Sequence, residues 1–278
     1  MRLLTTKFKS ILDFYIDSSL HVSLCAVSYI LLIYNQTYLT IKTTDSILYN
    51  LLFVFSATYF AYNFIKFYEK SLLKSKPFNV NTLIFFVPSL ISLFISIYLF
   101  FNFPLIKRLI VILISFFTVA YTIPFYKKFT FRSNPILKIF SISISWTLSI
   151  VYIPFYEIFD FYYLFYYSFI IFILVSVQMI PFEIRDAITD ANFTKNSVNI
   201  FGVNKVKRYG YLSLLLALTL LVIWPLIHDN FKIEFSSLII LIFMIIIIGI
   251  SKKNQFKYFS SLFVESIPMY WLIFDLLL

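Results

Sequence analysis

Residues 161–182, FYYLFYYSFIIFILVSVQMIPF, run without one charged side chain, and Glu183, Arg185, Asp186 and Asp190 then follow within about two helical turns. A hydrocarbon core of about 30 Å needs roughly 17 to 25 apolar residues per helix. This stretch satisfies that need, and it is not alone. Charge and proline clusters break the chain into nine such stretches, at about 19–35, 47–67, 82–103, 108–126, 136–156, 161–181, 209–227, 235–250 and 257–277, of which the eighth is short. Soluble domains are roughly half apolar and a quarter charged, whereas this chain is 61% hydrophobic and 13% charged. The expected fold is all-α: a polytopic membrane helix bundle of nine transmembrane helices forming a single domain over residues 1–278.

Lysine and arginine set the orientation. With a cytoplasmic N-terminus, 19 of the 23 basic residues fall on cytoplasmic segments, and only Lys42, Lys107, Arg108 and Lys232 fall on the other side. This positive-inside bias also accounts for the net charge of +10 without nucleic acid. The N-terminal segment 1–18 is basic, but Asp13 and Asp17 interrupt the apolar core that a signal peptide would need. Its Leu4, Phe8, Ile11, Leu12 and Tyr15 recur at helical spacing, so it reads as an amphipathic helix on the membrane surface.

Several chemistries are excluded early. Three glycines leave no phosphate loop, dinucleotide fingerprint or GxxxG pair, and the single cysteine, Cys25, can form no intrachain bridge. His21 and His228 fall near span ends on opposite faces and read as structural. A transporter would carry polar groups inside several spans, and spans 3, 5, 6 and 7 carry almost none.

On a helix, Glu183, Asp186 and Asp190 lie within an arc of about 60° on one face, while Arg185, at about 200° from Glu183, points away and cannot neutralise them. Like charges so placed call for a cation opposite. Lysines from other loops could serve, and so could a hard cation such as magnesium, which takes carboxylate oxygens, waters and substrate phosphates.

The stretch EIRDAITD resembles the second aspartate-rich motif, DxxDxxxD, of the UbiA superfamily of membrane prenyltransferases. Glu183 stands at its first acidic position, and Asp186 and Asp190 at the other two. The following NSVNIFGVNKVKRYG resembles that family's run into its seventh helix, and nine spans with a cytoplasmic N-terminus match the family across nearly the whole chain. The resemblance implies Mg²⁺-dependent transfer of a prenyl group from an isoprenyl diphosphate to a membrane-associated acceptor such as a quinone, aromatic or lipid precursor. Glu183, Asp186 and Asp190 would be the metal ligands, with Asn63 assisting.

The family's first motif, NDxxDxxxD, is degenerate here. In TYFAYNFIKFYEKS, Asn63 matches the leading asparagine, but Phe64, Phe67 and Ser71 stand at the aspartate positions. Asn63, Lys66 and Lys70 share one helical face, which suggests fixed ammonium groups contacting the diphosphate directly. By the resemblance, Tyr121, Tyr126, Lys127 and Lys128 after span 4 contribute to the same diphosphate site, and Arg185 is a further candidate. The double lysine of SKKNQFKY suggests an internal four-helix repeat, 47–130 and 161–257. Membrane lipids, the prenyl diphosphate and a lipophilic acceptor are the expected partners, with no nucleic acid and no obligate protein partner. The expected location is a bacterial inner membrane, with the site facing the cytoplasm. The alternative is a catalytically inactive UbiA-like protein that binds lipid or isoprenoid, and Phe64 and Phe67 are the residues that favour it.

Overall fold

The structure, a computed structural model, describes residues 2–37, 44–68, 80–125, 129–188, 196–228 and 234–278. Every regular element among them is a helix. In chain order these are α1 (Arg2–Asp17), α2 (Leu20–Gln36), α3 (Thr44–Phe67), α4 (Val80–Asn102), α5 (Leu105–Thr122) and α6 (Pro135–Thr147). They continue with α7 (Ile153–Phe155), α8 (Phe161–Asp186), α9 (Ser197–Phe201), α10 (Val203–Ile227), α11 (Phe235–Ile250) and α12 (Ile267–Leu277). Wider π turns occupy Leu148–Tyr152 and Phe259–Val264. An apolar environment leaves backbone groups no partner but each other, and the helix satisfies them within one segment. Side chains start the helices where the sequence supplies them. Asn134 caps α6, Asp160 caps α8 and Asn196 caps α9, each accepting from backbone N–H groups of the first turn.

All nine stretches expected to span are helical, which makes this a polytopic helical protein. Among the described residues six helical segments are long and apolar enough to cross a membrane, Ile47–Phe67, Ile84–Asn102, Leu105–Thr122, Pro135–Phe155, Phe161–Asp186 and Val203–Ile227, and the bent pair of α1 and α2 makes a seventh if counted as one span. The others are shorter, with 17 residues in α2, 16 in α11 and 11 in α12. Pro181, which could have ended the sixth span, lies inside α8, and Gln255 Nε2 donates to its carbonyl at 3.0 Å.

Helices α2 and α8 form the centre. Tyr29, Ile30, Leu32 and Ile33 of α2 and Ile170, Ile171 and Leu174 of α8 are almost wholly buried. The Tyr29 ring meets Trp146 of α6 and Trp271 of α12 edge-on, each at 6.2 Å. Helix α10 approaches α8 and α11 through Gly210, where a Cβ would lie 2.6 Å from Ile180 Cδ1 and 3.0 Å from Ile248 Cδ1.

Polar contacts gather at the two ends of the bundle. At one end Asp275 accepts from Asn35, Gln36 and Ser236, and Lys107 pairs with Glu157 at 2.6 Å. At the other end α1 turns by 66° from α2 and crosses the mouth of the bundle. There Phe14 packs on Phe85 of α4, and Asp13 accepts from Lys257 Nζ at 2.6 Å and the Tyr258 hydroxyl at 2.7 Å. The bonds from Lys257 and then Tyr258 hold the Asp13 carboxyl below its ordinary value of 3.8. Docking of α1 through this carboxylate is therefore present at neutral pH and lost as pH falls through the depressed value. Asp13→Asn is expected to speed backbone amide exchange over residues 9–17 several-fold at pH 7. The unaltered protein should reach comparable exchange, relative to the intrinsic rate, only below pH 3.8, and equal exchange in both proteins at neutral pH would count against this docking role.

Candidate active site at the mouth of the bundle

The elbow between α1 and α2 is the first fixed point of the site. Ser19 takes a left-handed conformation, φ 68°, which costs an L-residue roughly 1–2 kcal/mol. Two residues one turn apart on α3 hold it there. Asn63, 2% exposed, donates from Nδ2 to the carbonyls of Ser18 and Tyr59, both at 3.0 Å, and accepts from Ser19 Oγ at 3.2 Å. Lys66 Nζ donates to the carbonyls of Asp17 at 3.0 Å and Ile16 at 3.2 Å, and to Ser19 Oγ at 2.9 Å. The last carbonyls of α1 have no intrahelical partner and carry the negative end of its dipole, so an ammonium is the natural group to meet them. Asn63 and Lys66 thus share a face, as their spacing requires. The amide of Asn63 is engaged by the elbow. Lys70 lies outside the described residues.

The second fixed point is Glu183, wholly buried. Its Oε1 pairs with Lys138 Nζ of α6 at 2.6 Å, and its Oε2 accepts from the Ser197 backbone N–H at 3.0 Å and the Ser197 hydroxyl at 2.7 Å. Asn196 Nδ2 donates to the Glu183 carbonyl at 3.0 Å. One carboxylate therefore joins α6, α8 and the start of α9, with its oxygens turned to these partners. Lys138, counted from the sequence among the basic residues of the cytoplasmic segments, is 6% exposed.

Arg185 corrects the expectation that it points away from the acids. Its Nε lies 2.7 Å from Asp186 Oδ1, and its guanidinium sits 5.2 Å from the Phe182 ring centroid. Angular position on a helix constrains Cβ, and a side chain as long as arginine wraps past it. Helix α8 ends at Asp186, and Asp190 lies outside the described residues. Among the described residues no three histidine, cysteine or acidic side chains come together as a metal set.

Between α3, α4, α5 and α6 lies a cavity of about 610 Å³, walled by Phe53, Phe60, Phe64, Phe117 and Trp146. Its polar edge is made by Tyr62, Lys66, Tyr121 and Ser141. Phe64, at a position where the degenerate motif lacks its aspartate, is thus part of an apolar wall. Phe67 packs edge-on against Phe86 at 5.5 Å. Tyr126, Lys127 and Lys128 lie outside the described residues. His21 and His228 sit at opposite ends, the first bonded to Tyr15 and Ser266, the second packed on Tyr162 and Trp224.

Glu265 lies inside the ninth apolar stretch, immediately after the π turn Phe259–Val264. An ionisable residue within a span is a signal in its own right, and that signal is present in the sequence.

These features define a helical membrane protein with a greasy cavity ending at a charged mouth. Its fold is similar to that of solved UbiA homologs. The structure of a UbiA homolog from Archaeoglobus fulgidus bound to GPP and Mg²⁺ aligns with TM-score 0.67 and 13% identity over 95% of this chain and 98% of that one. The same homolog bound to DMAPP and Mg²⁺ aligns equally well. A digeranylgeranylglyceryl phosphate synthase aligns with TM-score 0.59 and 14% identity over 98% and 100%. No protein-family model and no curated protein sequence matches the chain.

Removing one partner of a buried ion pair leaves the other charge uncompensated, at a cost of about 3–5 kcal/mol. Lys138→Met is expected to destabilise the protein by that order in detergent thermal unfolding. Adding Glu183→Leu to it should recover part of the loss. A single variant as stable as the parent would show that the pair contributes nothing to holding α6 on α8.

Proposed function

We propose that this chain transfers a prenyl group from a prenyl diphosphate to a lipophilic acceptor within the membrane. The observation that carries the reading is the apolar cavity with Lys66 at its edge, in a fold whose solved examples include complexes with GPP and DMAPP. A volume near 610 Å³ falls in the range of small-molecule sites, roughly 300–1,000 Å³. The isoprenoid tail would lie among the phenylalanines. The diphosphate would remain at the mouth with Arg185 and Tyr121, joined by Lys70, Tyr126, Lys127 and Lys128, while Lys66, whose three N–H groups go to the elbow, would contribute its charge. The positive-inside bias supports nine spans with this mouth in the cytoplasm.

Magnesium is usually held by one or two carboxylates together with substrate phosphates. Asp186, half-buried at the end of α8, meets that requirement, with Asp190 as its companion. Glu183, engaged by Lys138 and Ser197, supports the ligands by fixing the last turn of α8, and Asn63 supports Lys66 in the same way at the elbow. When bound, the ion would supply positive charge to the departing diphosphate. The chain's own contribution is to hold phosphate oxygens with fixed ammonium and guanidinium groups and to exclude water from the tail with aromatic walls. Those walls also offer π faces to a developing allylic cation.

A second reading, an isoprenoid-binding protein without transfer activity, is favoured by one observation. Phe64 and Phe67 fill apolar surroundings at positions where the first acidic motif would stand. The purified protein incubated with Mg²⁺ and labelled prenyl diphosphates of increasing chain length separates the two. Transfer predicts magnesium-dependent binding with diphosphate release, and binding without release fits the second reading. Asp186→Ala should weaken the magnesium-dependent binding by about tenfold to a hundredfold, the worth of one charge-assisted contact. If no prenyl diphosphate binds the unaltered protein, both readings fail.

A further inference from the structure

The helices around the apolar cavity give it a definite depth. Lys66 stands at its polar edge, and Phe53 is the α3 residue on its wall farthest from that edge. Thirteen positions separate the two, about 20 Å of helix at roughly 1.5 Å per residue. Four hydroxyls along the wall are already engaged. Ser96, Ser115, Thr118 and Ser141 each donate to a carbonyl of their own helix, at 2.8, 2.8, 3.0 and 3.1 Å. With these groups turned to the backbone and phenylalanines between them, the deep part suits a plain hydrocarbon chain.

Aromatic rings close the floor. Phe53, 4% exposed, meets Phe103 edge-on at 4.9 Å, and Phe103 lies in the turn between α4 and α5. That turn is fastened, because Arg108 donates to the carbonyls of Phe103 at 2.7 Å and Phe101 at 2.8 Å. On Phe103 in turn lies Lys107, its Nζ 5.7 Å from the ring centroid and paired with Glu157 at 2.6 Å. A chain reaching past Phe53 would have to displace two packed rings and then meet an ion pair. A close-packed interior yields little space to such an intruder, and a charged pair offers hydrocarbon no compensation.

Resting on the prenyl-transfer reading, we propose that Phe53, seated on Phe103, limits the donor to a prenyl diphosphate of at most four isoprene units. With carbon–carbon bonds of about 1.5 Å, one four-carbon isoprene repeat advances about 5 Å when extended. Four repeats match the run from Lys66 to Phe53. Volume leads to the same limit. At roughly 30 Å³ per non-hydrogen atom, the share a water molecule takes in the liquid, a cavity of about 610 Å³ holds about 20 atoms, the carbon count of four isoprene units. One side route bears on the limit. Ile97 of α4 and Ile112 of α5 border the cavity and are also exposed, 42% and 55%, so a tail that ignored the floor would leave between these two helices.

The test uses the purified full-length protein with Mg²⁺ and labelled geranylgeranyl diphosphate, displaced by unlabelled prenyl diphosphates of three, four, five and six isoprene units. Donor amounts are expressed as mole fraction in the detergent micelle, which removes the effect of tail length on partition. The parent should bind the five-unit donor roughly tenfold to a hundredfold more weakly than the four-unit donor, the cost of overpacking a filled site. Phe53→Ala should raise the ratio of five-unit to four-unit affinity by roughly tenfold. Phe53→Trp should lower the ratio of four-unit to three-unit affinity by a similar factor, and it carries the test alone should the alanine variant fail to fold. Equal binding of the four-, five- and six-unit donors by the parent overturns the proposal and sends the tail outward between α4 and α5. A drop at five units that neither variant moves also overturns it, because the limit would then lie at other residues. If no prenyl diphosphate binds the parent, the transfer reading fails and this proposal with it. Binding that does not depend on tail length removes this proposal alone and leaves the transfer reading standing.

Discussion

The ion pair between Lys138 and Glu183 is the interaction on which the mouth of the bundle depends. Taking both charges out of water costs several kcal/mol per ion, and their attraction offsets this only when the remaining oxygens find donors. Here they do. Ser197 supplies a backbone N–H and a hydroxyl to the second oxygen, and that N–H belongs to the first turn of α9, where a negative charge is favoured by the helix dipole. The result ties three helices at one point. It also fixes where α8 stops, and so where Arg185 and Asp186 are presented.

A second tie lies on α3, across the apolar cavity. Asn63 and Lys66 hold the elbow between α1 and α2, which swings α1 over the end of the bundle. Between the two ties the walls are aromatic. This division matters because a charge acts far more strongly in a low-dielectric interior than in water. Cations kept at the edge can grip a phosphate without forcing the tail region to admit water. The same separation leaves the far end of the bundle to its own closed cluster on Asp275, which takes no part in the cavity.

The helical plan was legible in the sequence because uncharged length is nearly sufficient evidence in an apolar solvent. Each expected stretch is helical, and the end of α8 was marked out by its acids. The partner of each charge was not legible. Glu183 read as a metal ligand because its spacing to Asp186 and Asp190 is periodic, and periodicity is silent about Lys138, 45 positions earlier in a different helix. Lys138 itself was counted with the lysines read as orienting charges, since burial is a property of the packed bundle. Arg185 was misjudged for a smaller reason: helical angles locate Cβ, and the guanidinium reaches back over the terminal turn. Glu265 was not singled out from the sequence, although an acid within an apolar span is costly and therefore informative wherever it occurs.

The phenylalanines at the first motif carry a consequence for the proposed chemistry. Where a site lacks one acidic cluster, less of the charge that stabilises a leaving diphosphate can arrive as an exchangeable ion, and more must be fixed in the chain. Fixed ammonium groups are already oriented when the bond breaks, which favours the transition state. They also remain after it, and they hold the product as firmly as they held the charge that developed. A site built this way tends to be limited by diphosphate release.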